Sequence, residues 1–233
     1  MSYFDFKQFR IYQDRCAMKV GTDGVLLGAW AQVAPGENIL DIGTGTGLIA
    51  IMLAQRADIN VTGIEIDAEA ASQAFQNAEN SPYSQRIHIQ QADLKDFQSD
   101  TLFDNIVSNP PFYKEAVLPP NSNRSTARHS QGLPFETLVK EAKRLLKPNG
   151  VFQVILPYTE SSHFIGLCAL QSMSLLRQTN ICTKEGKMFK RTLLCFVNQI
   201  EATQPTRNTL CLSDAQNGRS EAYNKLTQDF YIK

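Results

Sequence analysis

Asn38-Ile39-Leu40-Asp41-Ile42-Gly43-Thr44-Gly45-Thr46-Gly47-Leu48-Ile49-Ala50 joins a short apolar run, a glycine-rich turn and the start of an apolar helix. The turn Ala34-Pro35-Gly36 precedes it, and the apolar pattern continues to Ala54. A buried strand, a glycine loop and a helix form the opening unit of a doubly wound α/β sheet that binds nucleotides. Glycines at 43, 45 and 47 let the backbone turn sharply and pass close to a ligand. The next strand, Asn60 to Ile64, ends in Glu65-Ile66-Asp67. A carboxylate roughly 20 residues beyond such a loop is placed to hold a ribose diol.

Two cofactor chemistries fit the loop. Gly45, Gly47 and Ala50 satisfy G-x-G-x-x-A, which leaves a dinucleotide open. Asp41, just before the loop, would repel a pyrophosphate and can engage an ammonium. The wider spelling therefore favours S-adenosylmethionine, which carries an amino-acid moiety. A helix from Ala68 to Asn80 breaks at Ser81-Pro82, and a strand from Arg86 to Ala92 runs into Asp93-Leu94. Asp93 can accept a hydrogen bond from an adenine amine, or simply form the turn. His88, mid-strand, reads as a packing or surface residue.

The fourth strand, Phe103 to Val107, delivers Asn109-Pro110-Pro111-Phe112. The prolines lack N–H donors and fix their own φ, and they push the residues before them towards extended backbone. An Asn amide, a free Pro110 carbonyl and the Phe112 ring are thus held in one rigid turn. Two acceptors and an aromatic face suit a planar exocyclic amine. Tyr113 to Leu133 has no clear periodicity and carries Arg124, Arg128 and His129, so it reads as a substrate lid that meets phosphates.

Upstream, the aromatic alternation from Tyr3 to Tyr12 suggests a hairpin. Lys19-Val20-Gly21-Thr22-Asp23-Gly24 then leads into an apolar helix, which Thr22 or Asp23 can cap. Downstream, Pro134 to Leu146 reads as a helix stopped by the Lys147-Pro148-Asn149-Gly150 turn. Val151 to Pro157 is a fifth strand, Thr159 to Met173 a helix and Leu175 to Thr183 a sixth strand. Lys184, Lys187, Lys190 and Arg191, with Met188 and Phe189 between them, form a basic connection suited to RNA. It leads to a seventh strand, Leu193 to Val197, antiparallel to the sixth. The tail reads as a short strand, Thr209 to Leu212, and a closing helix.

Over 233 residues, 42% are hydrophobic, which is within the globular range. Lys+Arg and Asp+Glu both number 23, so a polyanion site must come from local clustering. The five cysteines are dispersed without a Cys-x-x-Cys pair, which points to reduced thiols and away from a metal site. The start has no signal-peptide pattern, and no apolar run reaches the ~20 residues of a membrane span. A cytoplasmic protein with no membrane partner is expected.

With the glycine loop, Glu65, Asp93 and Asn109-Pro110-Pro111-Phe112 in this order, the chain resembles the class I S-adenosylmethionine-dependent methyltransferases. The Asn-Pro-Pro-Phe turn is similar to that of enzymes methylating adenine N6, guanine N2 or glutamine N5. Asp14-Arg15-Cys16-Ala17-Met18-Lys19-Val20-Gly21-Thr22-Asp23-Gly24 and the terminal Ser220-Glu221-Ala222-Tyr223, Leu226-Thr227 and Phe230-Tyr231 resemble the family of bacterial tRNA1(Val) adenine-N6 methyltransferases. The resemblance implies a Rossmann-like α/β fold with a seven-stranded, mostly parallel sheet, its last strand antiparallel and helices on both faces. It implies one domain over 1–233, with 1–33 covering the cofactor site and 201–233 as an extension.

The family's roles carry over by position. Asn109, Pro110 and Phe112 would be catalytic. S-adenosylmethionine, leaving as S-adenosylhomocysteine, would be held by Lys19, Gly21, Thr22, Asp41, Gly43, Gly45, Gly47, Glu65, Ile66, Asp93, Leu94 and Asn109. Arg124, Arg128, Lys184, Lys187, Lys190 and Arg191 would meet the anticodon loop of tRNA1(Val). No metal is expected. Two other readings stay open: the same chemistry on rRNA or on a translation-factor glutamine, and a non-catalytic RNA-binding protein of this fold.

Overall fold

The computed structural model describes residues 2–111, 133–200 and 204–232. A hairpin of β1 (Tyr3–Asp5) and β2 (Arg10–Tyr12) precedes α1 (Thr22–Trp30). Then follow β3 (Asn38–Ile42), α2 (Leu48–Arg56), β4 (Asn60–Glu65), α3 (Ala68–Glu79), β5 (Ile87–Gln91) and β6 (Phe103–Ser108). The second half comprises α4 (Phe135–Leu145), β7 (Leu146–Pro157), α5 (Ser161–Leu170), β8 (Ser174–Cys182), β9 (Phe189–Val197), β10 (Thr206–Cys211) and α6 (Glu221–Thr227).

The main sheet runs β5-β4-β3-β6-β7-β9-β8-β10. β9 is antiparallel to both its neighbours, while the remaining pairings are parallel. The seven expected strands are present, and β10 adds an eighth at the edge beside β8. Chain order reverses between β3 and β6, which opens a crevice at their carboxyl ends.

Two apolar cores flank the sheet. One packs α1, α2 and the hairpin against Ile39, Val107 and Ile155. The other packs α4 and α5 against Leu40, Ile106, Phe152 and Phe196. Each fully buried Leu, Ile or Phe contributes roughly 1.5–3 kcal/mol. The two chain ends meet: Phe6 stacks on Phe9 and Tyr231, at 4.7 and 6.0 Å between ring centroids, and its backbone bridges Tyr231. Ser220 caps α6 through the Tyr223 N–H.

Several local expectations shift. The cap of α1 is Gly21, with no side-chain bond; Thr22 is the first helical residue. Asp23 instead pairs with Arg191 at 2.7 Å, 168 residues away. Lys147-Pro148-Asn149-Gly150 lies inside β7, where the register against β6 shifts and Asn149 takes φ +62°. The expected Thr159–Met173 helix is shorter, ending at Leu170. Lys190 and Arg191 belong to β9, so only Lys184 and Lys187 sit in the connection. His88 is exposed on the edge strand β5.

Candidate active site

The glycine loop is built by backbone conformation. Gly43, Gly45 and Gly47 adopt φ of +71°, +56° and +79°, which other residues rarely hold. The Gly43 and Thr44 N–H groups donate to the Ile64 carbonyl, tying the loop to the end of β4. Gly47 caps α2, where a Cβ would come within 3.3 Å of the Ala74 carbonyl. A Cβ at Gly43 would meet nothing within 4 Å, so the loop borders open space.

Asp41 lies wholly buried one strand position from this loop. Its Oδ2 accepts the Thr44 hydroxyl at 2.6 Å, while Oδ1 lacks a hydrogen-bond partner among the described residues. Burial pushes the carboxyl up to about 7, opposed by the Thr44 hydroxyl and the Ala50 N–H and reinforced by Glu65. Thr44 fits because Gly63 faces it: a Cβ there would stand 3.0 Å from the hydroxyl. Sequence reasoning missed Thr44 and Gly63, although a threonine inside a glycine loop is a visible signal.

β4 and β5 complete this side of the crevice. Glu65 Oε2 accepts the Gly45 N–H at 3.0 Å, and Oε1 accepts the Asp67 N–H. Ile66 follows Glu65 and is 63% exposed. The Ala92 N–H donates to the Glu65 carbonyl, which sets Asp93 alongside. Asp93 Oδ1 closes a turn on the Lys95 N–H, and Leu94 is buried in the second core.

β6 supplies the other wall. Ser108 pairs with Ile42 and donates its hydroxyl to the Ile42 carbonyl at 2.9 Å, pinning the two strands together where they diverge. Asn109 follows directly. Its Oδ1 is buried and has no hydrogen-bond partner among the described residues. Leaving such an oxygen unpaired costs about 1–3 kcal/mol. Pro110 is buried; Phe112, Arg124 and Arg128 lie outside the described residues.

The N-terminal segment covers the loop. Gly24 packs on Leu48, the first residue of α2, so the start of α1 stands beside the glycine loop with Gly21, Thr22 and Lys19 exposed. Cys16 Sγ lies 3.8 Å from a Cβ placed on Gly45, and burial, with Glu65 and Asp67 nearby, raises its thiol. Lys184 and Lys187, in the β8–β9 connection, and Lys190, at the start of β9, stand on the same carboxyl edge of the sheet as Asn109. Lys184 bonds to the Ala215 carbonyl, Lys187 and Lys190 are exposed, and Arg191 is held by Asp23.

S-adenosylmethionine fits these residues. A carboxylate oxygen with no partner among the described residues, an open glycine cradle and the Glu65 carboxylate lie together around the loop. Among the described residues no group of His, Cys, Asp or Glu is placed to hold a metal, and no helix is long and apolar enough to cross a membrane.

A family model for a methyltransferase domain matches residues 34–217. A tRNA1(Val) (adenine(37)-N6)-methyltransferase from Phocaeicola vulgatus is 47% identical over 230 residues, covering 99% of this chain and 97% of that protein. One of the same description from Haemophilus influenzae is 44% identical over 237 residues, with both chains covered in full. A predicted O-methyltransferase from Agrobacterium tumefaciens superposes with a TM-score of 0.70 at 19% identity, covering 89% of this chain and 96% of the other. A TehB-like SAM-dependent methyltransferase from Corynebacterium glutamicum gives 0.53 at 18%, covering 78% and 89%. Those two likenesses concern the fold alone.

Proposed function

The chain belongs to the family of tRNA1(Val) (adenine(37)-N6)-methyltransferases, and from that premise we infer that it methylates N6 of adenine 37 in tRNA1(Val), in the cytoplasm. When bound, S-adenosylmethionine supplies an electrophilic methyl group on a sulfonium and leaves as S-adenosylhomocysteine. The observation that carries the reading is the buried Oδ1 of Asn109, which has no hydrogen-bond partner among the described residues, at the mouth of the crevice.

The Asn109 oxygen and the Pro110 carbonyl each accept one N6 hydrogen of the target base. Doing so orients the amine and draws its lone pair out of conjugation with the ring. Phe112 stacks on the base. These contacts strengthen as positive charge grows on N6, which is differential stabilisation of the transition state. The surplus N6 proton passes to solvent after transfer. The adenine must leave its stack to reach the site, at a cost of a few kcal/mol that is lowest in a single-stranded loop. An anticodon loop meets that requirement.

Asp41 would hold the ammonium of the cofactor, Glu65 its ribose hydroxyls and Asp93 its adenine amine, and Ile66 would lie against the adenine. Lys187 and Lys190, with Met188 83% exposed beside them, meet the RNA backbone and an unstacked base. The test is transfer of labelled methyl to unmodified tRNA1(Val), with the product nucleoside identified by mass spectrometry. N6-methyladenosine at position 37 is expected. Label entering rRNA or a protein glutamine instead would keep the chemistry and overturn the substrate.

A further inference from the structure

Two amides on α3, Gln73 and Asn77, are 1% and 0% exposed. Four residues apart, they share one helix face, set among Ala70, Ala74 and Ala78. Burying an amide there is unfavourable unless it is paired, and both are paired outside their own helix. Asn77 Oδ1 accepts the Tyr12 N–H at 2.9 Å, and its Nδ2 donates at 2.8 Å to the carbonyls of both Tyr12 and Thr46. Gln73 Oε1 accepts the Arg15 N–H at 2.9 Å, and its Nε2 donates to Asp14 Oδ1 at 3.2 Å. Gln13 Oε1 in turn accepts the Val20 N–H at 2.8 Å, folding the segment back on itself.

We propose that Gln73 and Asn77 are positioning residues that latch residues 12–20 across the glycine loop and so build one wall of the cofactor site. Asn77 joins three parts: helix α3, the N-terminal segment and, through Thr46, the loop itself. The inference rests on the cofactor assignment and adds to it two residues that touch no ligand. Cys16 reports on the wall, because its thiol stands against Gly45.

The test combines Asn77→Asp and Gln73→Glu, which keep side-chain size and the acceptor and remove donors. Binding of S-adenosylhomocysteine is measured by calorimetry, and alkylation of Cys16 by N-ethylmaleimide is followed by peptide mass spectrometry. In the wild type, S-adenosylhomocysteine should slow alkylation of Cys16 and leave Cys211 unchanged. In the variants, S-adenosylhomocysteine should bind about tenfold more weakly and Cys16 should react faster without it. The turnover number at saturating cofactor and KM for tRNA should stay within about twofold, which separates positioning from a general loss of structure. Unchanged binding in both variants, or equal losses in cofactor affinity, KM for tRNA and turnover, would overturn the proposal. So would a wild-type Cys16 that bound S-adenosylhomocysteine leaves unprotected, a result needing no variant. A wild type that binds no S-adenosylhomocysteine at all would remove the cofactor assignment first.

Discussion

Two asparagines four residues apart, Asn105 inside strand β6 and Asn109 one residue beyond its end, live in opposite circumstances. Asn105 donates to the Gln32 carbonyl at 2.6 Å and accepts from Gln153 Nε2 at 3.0 Å. Gln153 also donates to that carbonyl and accepts the Gln32 N–H, so the Gln32–Asn105–Gln153 group closes on itself. Asn109, just beyond β6, and Asp41, on the paired strand β3, each keep one buried oxygen without a partner among the described residues. Of the four buried polar side-chain atoms without a partner among the described residues, those of Asp41 and Asn109 lie on or just beyond the paired strands β3 and β6 at the crevice, whereas Gln55 Oε1 and Arg177 Nε lie on α2 and β8. The first group is structure, complete without a ligand. In the proposed function the second is a receptor, with the substrate amine and the cofactor ammonium as its partners.

The sharpest way to break this comparison is Asn109→Ala. Turnover should fall ~10²–10³-fold, while affinity for S-adenosylhomocysteine stays near normal and the ligand-free protein melts no lower than wild type. A clear loss of melting temperature would mean that Asn109 is structural after all.

Asp41 sharpens the cofactor half. Asp41→Ala should weaken S-adenosylhomocysteine binding by about ten- to a hundredfold, the scale of a lost hydrogen bond to a charged group. The pH dependence has opposite signs with and without ligand. The folded carboxyl sits above its ordinary value of 3.8, at about 7. The folded protein thus holds a proton that the unfolded chain has lost. Stability of the ligand-free protein should fall as pH rises from about 4 to about 7, by at most roughly 1.4 kcal/mol per unit, and level off above. Ligand affinity should instead climb between pH 6 and 7.5, because the ammonium needs the carboxylate. Asp41→Asn should flatten both curves, which thermal melts and calorimetry across pH will check.

Asn105→Ala tests the other side. It leaves Gln153 short of a partner, so about 1–3 kcal/mol of stability should go, a few degrees in melting temperature for a chain of this size. Turnover at a temperature where it is folded should stay within about twofold. The smallest effect belongs to the RNA edge. Lys187→Ala or Lys190→Ala should weaken tRNA binding a few-fold and reduce the salt slope by about 0.7 each, with the cofactor constant unmoved.

Much of this arrangement could be read before any coordinates. Strand, loop and helix around Gly43 to Gly47 are local, and Asp41, Glu65, Asp93 and Asn109 each stand at the end of a recognisable strand. What stayed hidden depends on distant partners. Asp23 looks like a helix cap, yet Arg191 claims it. β9 begins four residues before its apolar core because pairing with β8 and β7 extends it through Lys190 and Arg191. Gln73 and Asn77 look like surface amides of a polar helix; only their spacing among alanines hints at a buried face. The unpaired oxygens themselves cannot be seen in a sequence, since being unpaired is a property of the packed site.

The most direct measurement places the same substitution at both asparagines. Asn109→Ala and Asn105→Ala are compared in single-turnover methyl transfer to tRNA1(Val) and in thermal melting. The account predicts a crossed result: rate lost with stability kept at 109, stability lost with rate kept at 105. If both variants lose rate and stability together, the division between a closed structural group on β6 and an open receptor just beyond its end is wrong.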